Sequence, residues 1–353
     1  MQNRIYYADI LRISAILCVI IGHIIAPLFN DPFSYLFWTA DIINAFLQWC
    51  IIAFFMISGM LLLSSSKNES LKAFYGKRIP KLLIPLIAWS IIFYLARLPY
   101  MLITHNARTF SVSDFINNFC SASISFPLWF LYVMIIIYLI APLLRIYVKK
   151  ISIKHMLYHI ILLIIVMQVY VFLLYTYNLS FTWAISALIL ALFFTGFFVL
   201  GYILDKVDID KNSSRILYSL AIIGWFATIF VVYFLSKENK LGNEIQGIFY
   251  EHFPLTNIVV AVGIFIACKK YDWGKIFSTN PTARKLLTKA SAMVFGVYLI
   301  HALVFNLLDI IGINAQFVNI IVGIPLTVIL TIIISFIIVT IIQKIPILKY
   351  IIP

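Results

Sequence analysis

Apolar residues fall along this chain in continuous blocks rather than amphipathic stripes, and the blocks have the length of a bilayer. Ten runs match or approach the ~20 helical residues that a hydrocarbon core demands. They are 8–29, 43–64, 82–104, 127–147, 156–177, 182–204, 216–236, 254–268, 291–311 and 317–343, the eighth being the shortest. Stretches such as Ile10 to Ile25 lack the apolar–polar alternation of an outer-membrane strand, so their backbone must satisfy itself within helices. The pattern predicts an all-α, polytopic membrane bundle of about ten transmembrane helices.

Composition supports lipid as the solvent. The 353 residues are 63% hydrophobic and 11% charged, whereas soluble domains run near roughly 45–50% and 25%. No Pro/Ser-rich linker and no repeat of roughly 20–50 residues interrupts the pattern, so residues 1–353 read as a single membrane domain. Residues 1–29 are long for a secretory signal, carry one Arg before the apolar run and show no clear small-residue cleavage site. They read as an uncleaved first helix.

A net charge of +13 raises the question of nucleic acid, and the distribution of the cations answers it. One set of connections holds Lys67, Lys72, Lys77, Arg78 and Lys81, then Arg145, Lys149, Lys150 and Lys154, then Lys206, Lys211 and Arg215. The set continues with Lys269, Lys270, Lys275, Arg284, Lys285 and Lys289, and the termini add Arg4, Lys344 and Lys349. The alternate connections hold only Arg97, Arg108, Lys237 and Lys240. Such alternation is the positive-inside signature, which places both termini in the cytoplasm and makes the bilayer, not nucleic acid, the partner of the charge. The Ile, Lys and Asn bias points to a bacterial source, hence its cell membrane. Cys18, Cys50, Cys120 and Cys268 show no CxxC spacing, so neither a disulfide framework nor a metal site is expected.

Ionisable residues within the apolar runs are the candidate chemistry, because each costs roughly 2.5–3.5 kcal/mol at a helix centre on insertion scales. The first run holds Asp9, Arg12 and His23. Arg12 and His23 are eleven residues apart, which places them within about 20° of one face and ~16 Å apart along the axis. On the inside-first orientation Arg12 lies near the cytoplasmic surface and His23 in the middle or outer part of the bilayer. Arg12 either snorkels to the headgroups beside Asp9 or faces a ligand. His23 is a costly guest and imidazole is the commonest general base, which favours a chemical role.

Tyr298 and His301 share a face in the ninth run, where they either line the same cavity or bond a neighbouring helix. His105, His155, His159 and His252 lie at or near connections and read as solvated. The third run is approached by Lys77-Arg78-Ile-Pro-Lys81, and Arg78 and Lys81 suit either a phosphate-bearing cytoplasmic ligand or anionic lipid. Ser58 and Gly59 in Phe54-Phe-Met-Ile-Ser-Gly59 permit close helix approach. Trp129 and Tyr132 sit at the outer start of the fourth run, as an aromatic belt or a sugar-stacking surface. No Walker loop, GxGxxG, HExxH or GxSxG elbow is present, so ATP-driven, dinucleotide and zinc-protease readings lack support.

In their order these segments resemble the acyltransferase 3 family of membrane O-acyltransferases, over nearly the whole chain. The resemblance rests on Tyr7-Ala-Asp9-Ile-Leu-Arg12 with His23, on residues 54–59, and on the basic approach at Arg78 and Lys81. It continues through Trp129-Phe-Leu-Tyr132 with Tyr138 to Pro142, Phe198 to Gly201, and Tyr298-Leu-Ile-His301. Lys81 departs from the second Arg of the family's Arg-x-x-Arg pattern and loses its planar fork. The chain shows no added hydrolase-like domain and looks like the compact members, such as the O-acetyltransferase for enterobacterial common antigen.

The resemblance implies an acyl-CoA donor, acetyl-CoA first, docked in the cytoplasm on Arg78 and Lys81 with Arg12. Its thioester would extend towards His23. His23 would act as general base, or carry the acyl group covalently, for a hydroxyl of a surface glycan or its lipid-linked precursor arriving from outside. His23 and Arg12 are the candidate catalytic residues, and Asp9, Ser58, Trp129, Tyr132, Tyr298 and His301 are candidate substrate-lining residues. The alternative is a transporter or flippase that exports a polysaccharide or lipid-linked sugar unmodified; the absence of an inverted repeat and the scarcity of intramembrane acids weigh against it.

Overall fold

The computed structural model describes residues 4–30, 34–64, 69–97, 111–177, 181–239 and 255–353. Among them every regular element is helical. In chain order these are α1 (Tyr6–Ile25), α2 (Tyr35–Leu47), α3 (Trp49–Leu63), α4 (Leu71–Arg78), α5 (Pro80–Ala96), α6 (Val112–Cys120) and α7 (Trp129–Lys150). There follow α8 (Ile153–Tyr177), α9 (Trp183–Lys206), α10 (Lys211–Asn239), α11 (Leu255–Lys270), the single turn α12 (Gly274–Phe277), α13 (Pro281–Ile310) and α14 (Ile320–Lys344).

The local sequence explains many of these boundaries. The Ser34 hydroxyl accepts from the Phe37 N–H at 3.1 Å to start α2, and Ser70 accepts from Ala73 at 3.2 Å to start α4. Asn280 accepts from the Ala283 N–H at 2.9 Å to start α13, with Pro281 in the first turn where its missing N–H costs nothing. Pro80 cannot donate back into α4, so it separates that helix from α5 and opens the second.

Nine helical stretches among the described residues are long and apolar enough to cross a membrane. The chain is a multi-pass helical membrane protein. The eighth expected run, 254–268, becomes α11, whose 16 residues span about 24 Å, short of a ~30 Å hydrocarbon core. Its first residue and those at 98–104 of the third run lie outside the described residues. The second run starts earlier than its apolar stretch at 43: helix begins at Tyr35 and is interrupted only at Gln48. Hydropathy missed the part of α2 before residue 43 because Asp41 breaks the apolar pattern, yet Asp41 is buried against the rest of the bundle.

The interior is built on one close helix crossing with two glycine contacts. A Cβ on Gly59 of α3 would lie 1.9 Å from the Phe198 carbonyl oxygen of α9, and one on Gly201 would lie 1.9 Å from the Met56 carbonyl oxygen. Hydrogen is the only side chain that fits at either place, so the blocks at 54–59 and 198–201 are two faces of a backbone-to-backbone contact. Against α3 lies α1, which is also flanked by α13, α2, α11 and α14. The most buried span, α9, is 72% enclosed by its neighbours, whereas α8 and α10 are each 17% enclosed and present Ile161, Ile165, Phe172 and Phe230 outward. Those apolar faces are what a bilayer would cover.

Candidate functional site

Helix α1 is fixed at its first turn by Asp9. One carboxylate oxygen accepts from the Ser291 hydroxyl of α13 at 2.5 Å, and the other accepts from Arg4 Nε at 2.6 Å. An acid in the first turn also suits the positive end of the helix dipole. Arg12, one turn on, reaches Asp9 only at 3.9 Å and keeps about a third of its side chain exposed. Its guanidinium therefore retains donors that face a cavity rather than the protein.

That cavity has a volume of about 1600 Å³ and brings together Arg12, His23, Ser58, Arg78, Lys81, Trp129 and Tyr298. It exceeds the roughly 300–1,000 Å³ of common ligand pockets. Gly22, beside His23, also lines it, and a Cβ there would meet nothing within 4 Å. Arg12 and His23 thus lie on one cavity-facing side of α1, as their eleven-residue spacing requires. Tyr138 stands within electrostatic range of both Arg12 and Arg78, which places the α1 and α4 cations at the same end.

At that end the ion pairs are shared. Arg78 Nη1 donates to Glu69 Oε2 at 2.7 Å, and Arg145 of α7 lies 3.8 Å from the same oxygen. Both guanidinium groups sit over the Phe74 ring, at 4.3 and 4.8 Å from its centroid. Arg145 also donates from Nε to the Leu62 carbonyl oxygen at 2.9 Å. The Arg78 hydrogen bond, opposed by desolvation, holds the Glu69 carboxyl below its ordinary range. Lys81, one turn past Arg78, is exposed to the cavity.

The other end shows no shared ion pair among the described residues. The His23 ring meets the edge of Phe126 at 5.4 Å and the ring of His301 at 5.2 Å. Phe130 packs edge-on to Tyr298 at 5.5 Å, and the Tyr298 hydroxyl donates to the Pro127 carbonyl oxygen. Arg97, counted from sequence only as a connection charge, reaches the lining and donates to the Ser123 and Ile124 carbonyl oxygens.

Three expected lining residues stand elsewhere. Asp9 is behind the wall, consumed by Arg4 and Ser291. His301 is fully buried behind His23, outside the lining. Tyr132 turns away and donates to the Phe119 carbonyl oxygen of α6 at 2.7 Å, a short helix that no apolar run announced. His155 is exposed as expected, but His159 lies on α8 against Tyr147, with Nδ1 buried. His105 and His252 lie outside the described residues.

A family model described as an acyltransferase domain, acyltransferase 3, matches residues 5–340. The chain belongs to the acyltransferase 3 family. No curated protein and no solved structure matches it. It is therefore a membrane acyltransferase, and every block on which the resemblance rested falls within the matched residues. Sequence reasoning did not find the Glu69–Arg145 contact beside Arg78. Arg145 ends an apolar run like any positive-inside anchor, and only the folded chain shows it 12% exposed beside a carboxylate from a distant loop.

Proposed function

We propose that this acyltransferase moves an acyl group, acetyl first among the short acyl groups, from acyl-CoA to a hydroxyl of a surface glycan or its lipid-linked precursor. The observation that carries the reading is that one cavity joins a cluster of cations, Arg12, Arg78 and Lys81, to an imidazole end at His23. A phosphorylated donor pairs with the first through charge-assisted hydrogen bonds, and Arg12 and Arg78 can each grip a phosphate with two donors. Lys81 adds a point charge without that fork. The thioester then reaches along the cavity towards His23.

At the imidazole end His23 acts as general base. It takes the proton of the acceptor hydroxyl while the oxygen bonds the acyl carbon and the C–S bond breaks, and the CoA thiolate then recovers that proton. Holding donor and acceptor in one cavity supplies the proximity such a transfer needs. Trp129 offers a flat face on which a sugar ring can stack. With the charge-rich connections cytoplasmic, the donor enters from the cytoplasm of a bacterial cell and the acceptor from the opposite side, as in compact glycan O-acetyltransferases.

Membranes holding the wild-type chain or its His23→Ala variant, supplied with radiolabelled acetyl-CoA, test this. We expect acetyl label on the membrane glycan and matching CoA release from the wild type, and neither from the variant. Export of an unmodified glycan, the transporter behaviour, would give transport with no acetyl mass gain and would overturn the reading.

A further inference from the structure

His301 is the buried titratable group that the proposed reaction leaves unused. It is 0% exposed and stands behind His23 as seen from the cavity. Its Nδ1 lies 2.6 Å from the Tyr298 carbonyl oxygen, one turn earlier on α13. A carbonyl only accepts, so Nδ1 must carry the proton, and the neutral ring is left with a bare Nε2. That Nε2 is buried with no hydrogen-bond partner among the described residues. Buried polar atoms are nearly always partnered, so an orphan of this kind asks for an occupant.

A neighbouring ring able to supply a donor is His23 itself. The two ring centroids are 5.2 Å apart at 38°. Two imidazoles joined by an N–H···N bond have centroids roughly 5 Å apart, since each nitrogen stands about 1 Å out from its centroid. The bond is open here, and the centroid spacing is that of two imidazoles so joined. Phe126 on one side and Tyr298 on the other fence the pair with aromatic rings. Among the described residues neither imidazole has a carboxylate in an ion pair.

We propose that His301 is the positioning residue for His23: its bare Nε2 accepts the proton-bearing nitrogen of His23 and so turns the other, unprotonated nitrogen to the cavity. This rests on the reading of His23 as general base. When His23 takes the acceptor's proton, both of its nitrogens carry hydrogen, and the one facing His301 donates into the waiting lone pair. His301 keeps its own Nδ1 proton throughout, held by the Tyr298 carbonyl. The proton received by His23 leaves with the CoA thiolate, so the pair is unchanged after a turnover. A neutral acceptor supports the imidazolium without trapping the proton as an ion pair would.

The test uses the full chain in membranes with radiolabelled acetyl-CoA, comparing His23→Ala, His301→Phe, His301→Gln and His301→Asn. His301→Phe should lower the maximal rate about 100-fold, with KM for acetyl-CoA within about twofold and an unchanged melting temperature. His301→Gln places an amide oxygen near the lost Nε2 and should restore a tenth or more of the rate. His301→Asn, whose amide reaches only the Nδ1 position, should not. Wild-type rate in His301→Phe, or equal loss in folded Gln and Asn variants, would overturn the pairing. If His301→Phe does not accumulate, the Gln and Asn comparison decides alone. Full activity of His23→Ala would remove the general-base reading and this inference with it. An inactive His23→Ala beside a fully active His301→Phe would remove only the pairing.

Discussion

The two ends of the cavity handle their polar groups in opposite ways. At the Arg12 end four arginines share two carboxylates: Arg4 and Arg12 meet at Asp9, while Arg78 and Arg145 meet at Glu69. Cations are in surplus, and Lys81 adds to it. At the His23 end the imidazoles are enclosed by Phe126, Tyr298 and each other, with no ion pair among the described residues. Surplus charge serves to hold an anion, because each charge-assisted bond is roughly twice as strong as a neutral one. A neutral, poorly hydrated imidazole serves to move a proton, because nothing nearby fixes its charge in advance. Under the proposed function, the difference gives binding to one end and chemistry to the other.

Both ends hang on the contact between α3 and α9, so breaking that contact should remove the comparison altogether. Gly201→Ala or Gly59→Ala drives a methyl group into a backbone carbonyl, which cannot move aside as a side chain would. The cost should exceed the ~1–3 kcal/mol of ordinary overpacking. We expect either variant to be lost from the membrane, measured as the yield of monodisperse protein in detergent. Normal yield would mean that the helices can separate without consequence for the bundle.

His23→Ala should leave the donor end intact while removing the chemistry. The expected fall in maximal rate is about 1,000-fold, within the range for a general base, with CoA affinity by calorimetry unchanged. The converse is Arg12→Ala or Arg78→Ala. Loss of a hydrogen bond to a charged group costs about 1.5–3 kcal/mol, or roughly 10- to 100-fold in CoA affinity, with a much smaller effect on maximal rate. Lys81→Arg should strengthen binding a few-fold by restoring the planar fork. If the arginine variants lost rate rather than affinity, the division between the ends would fail.

How far this division could be read from sequence depended on whether a feature was local. Arg12 and His23 share a face because helical geometry alone relates positions eleven apart, and Gly59 announced a close approach whose partner at Gly201 only the fold supplies. The long apolar helices followed from hydropathy. The start of α2 did not, because its Asp41 looks like a connection until the surrounding bundle buries it. Tyr132 fits a belt or a sugar platform by position, and only α6 supplies the carbonyl that turns it away. Glu69 and Arg145 meet across a long stretch of chain, and nothing in either neighbourhood signals the other.

That pair gives the smallest and most pointed test. Glu69 lies outside the membrane-spanning stretches and its carboxyl is held below its ordinary value of 4.5, chiefly by the Arg78 hydrogen bond. A lowered folded-state pKa contributes stability that is complete above the unfolded value and is lost as pH falls through the folded one. Thermal stability of the wild type should therefore decline below about pH 4.5, and the decline should be shallower in Glu69→Gln. At neutral pH the variant should melt slightly lower, because Arg145 keeps its guanidinium 12% exposed with no carboxylate beside it. Freed of that carboxylate, Arg78 should bind CoA about two- to fivefold more tightly at low salt, and the gain should vanish as salt screens the added charge. Weaker binding at every salt concentration would instead show that Glu69 orients Arg78 for the donor, and that the cationic end works by fixed geometry more than by surplus charge.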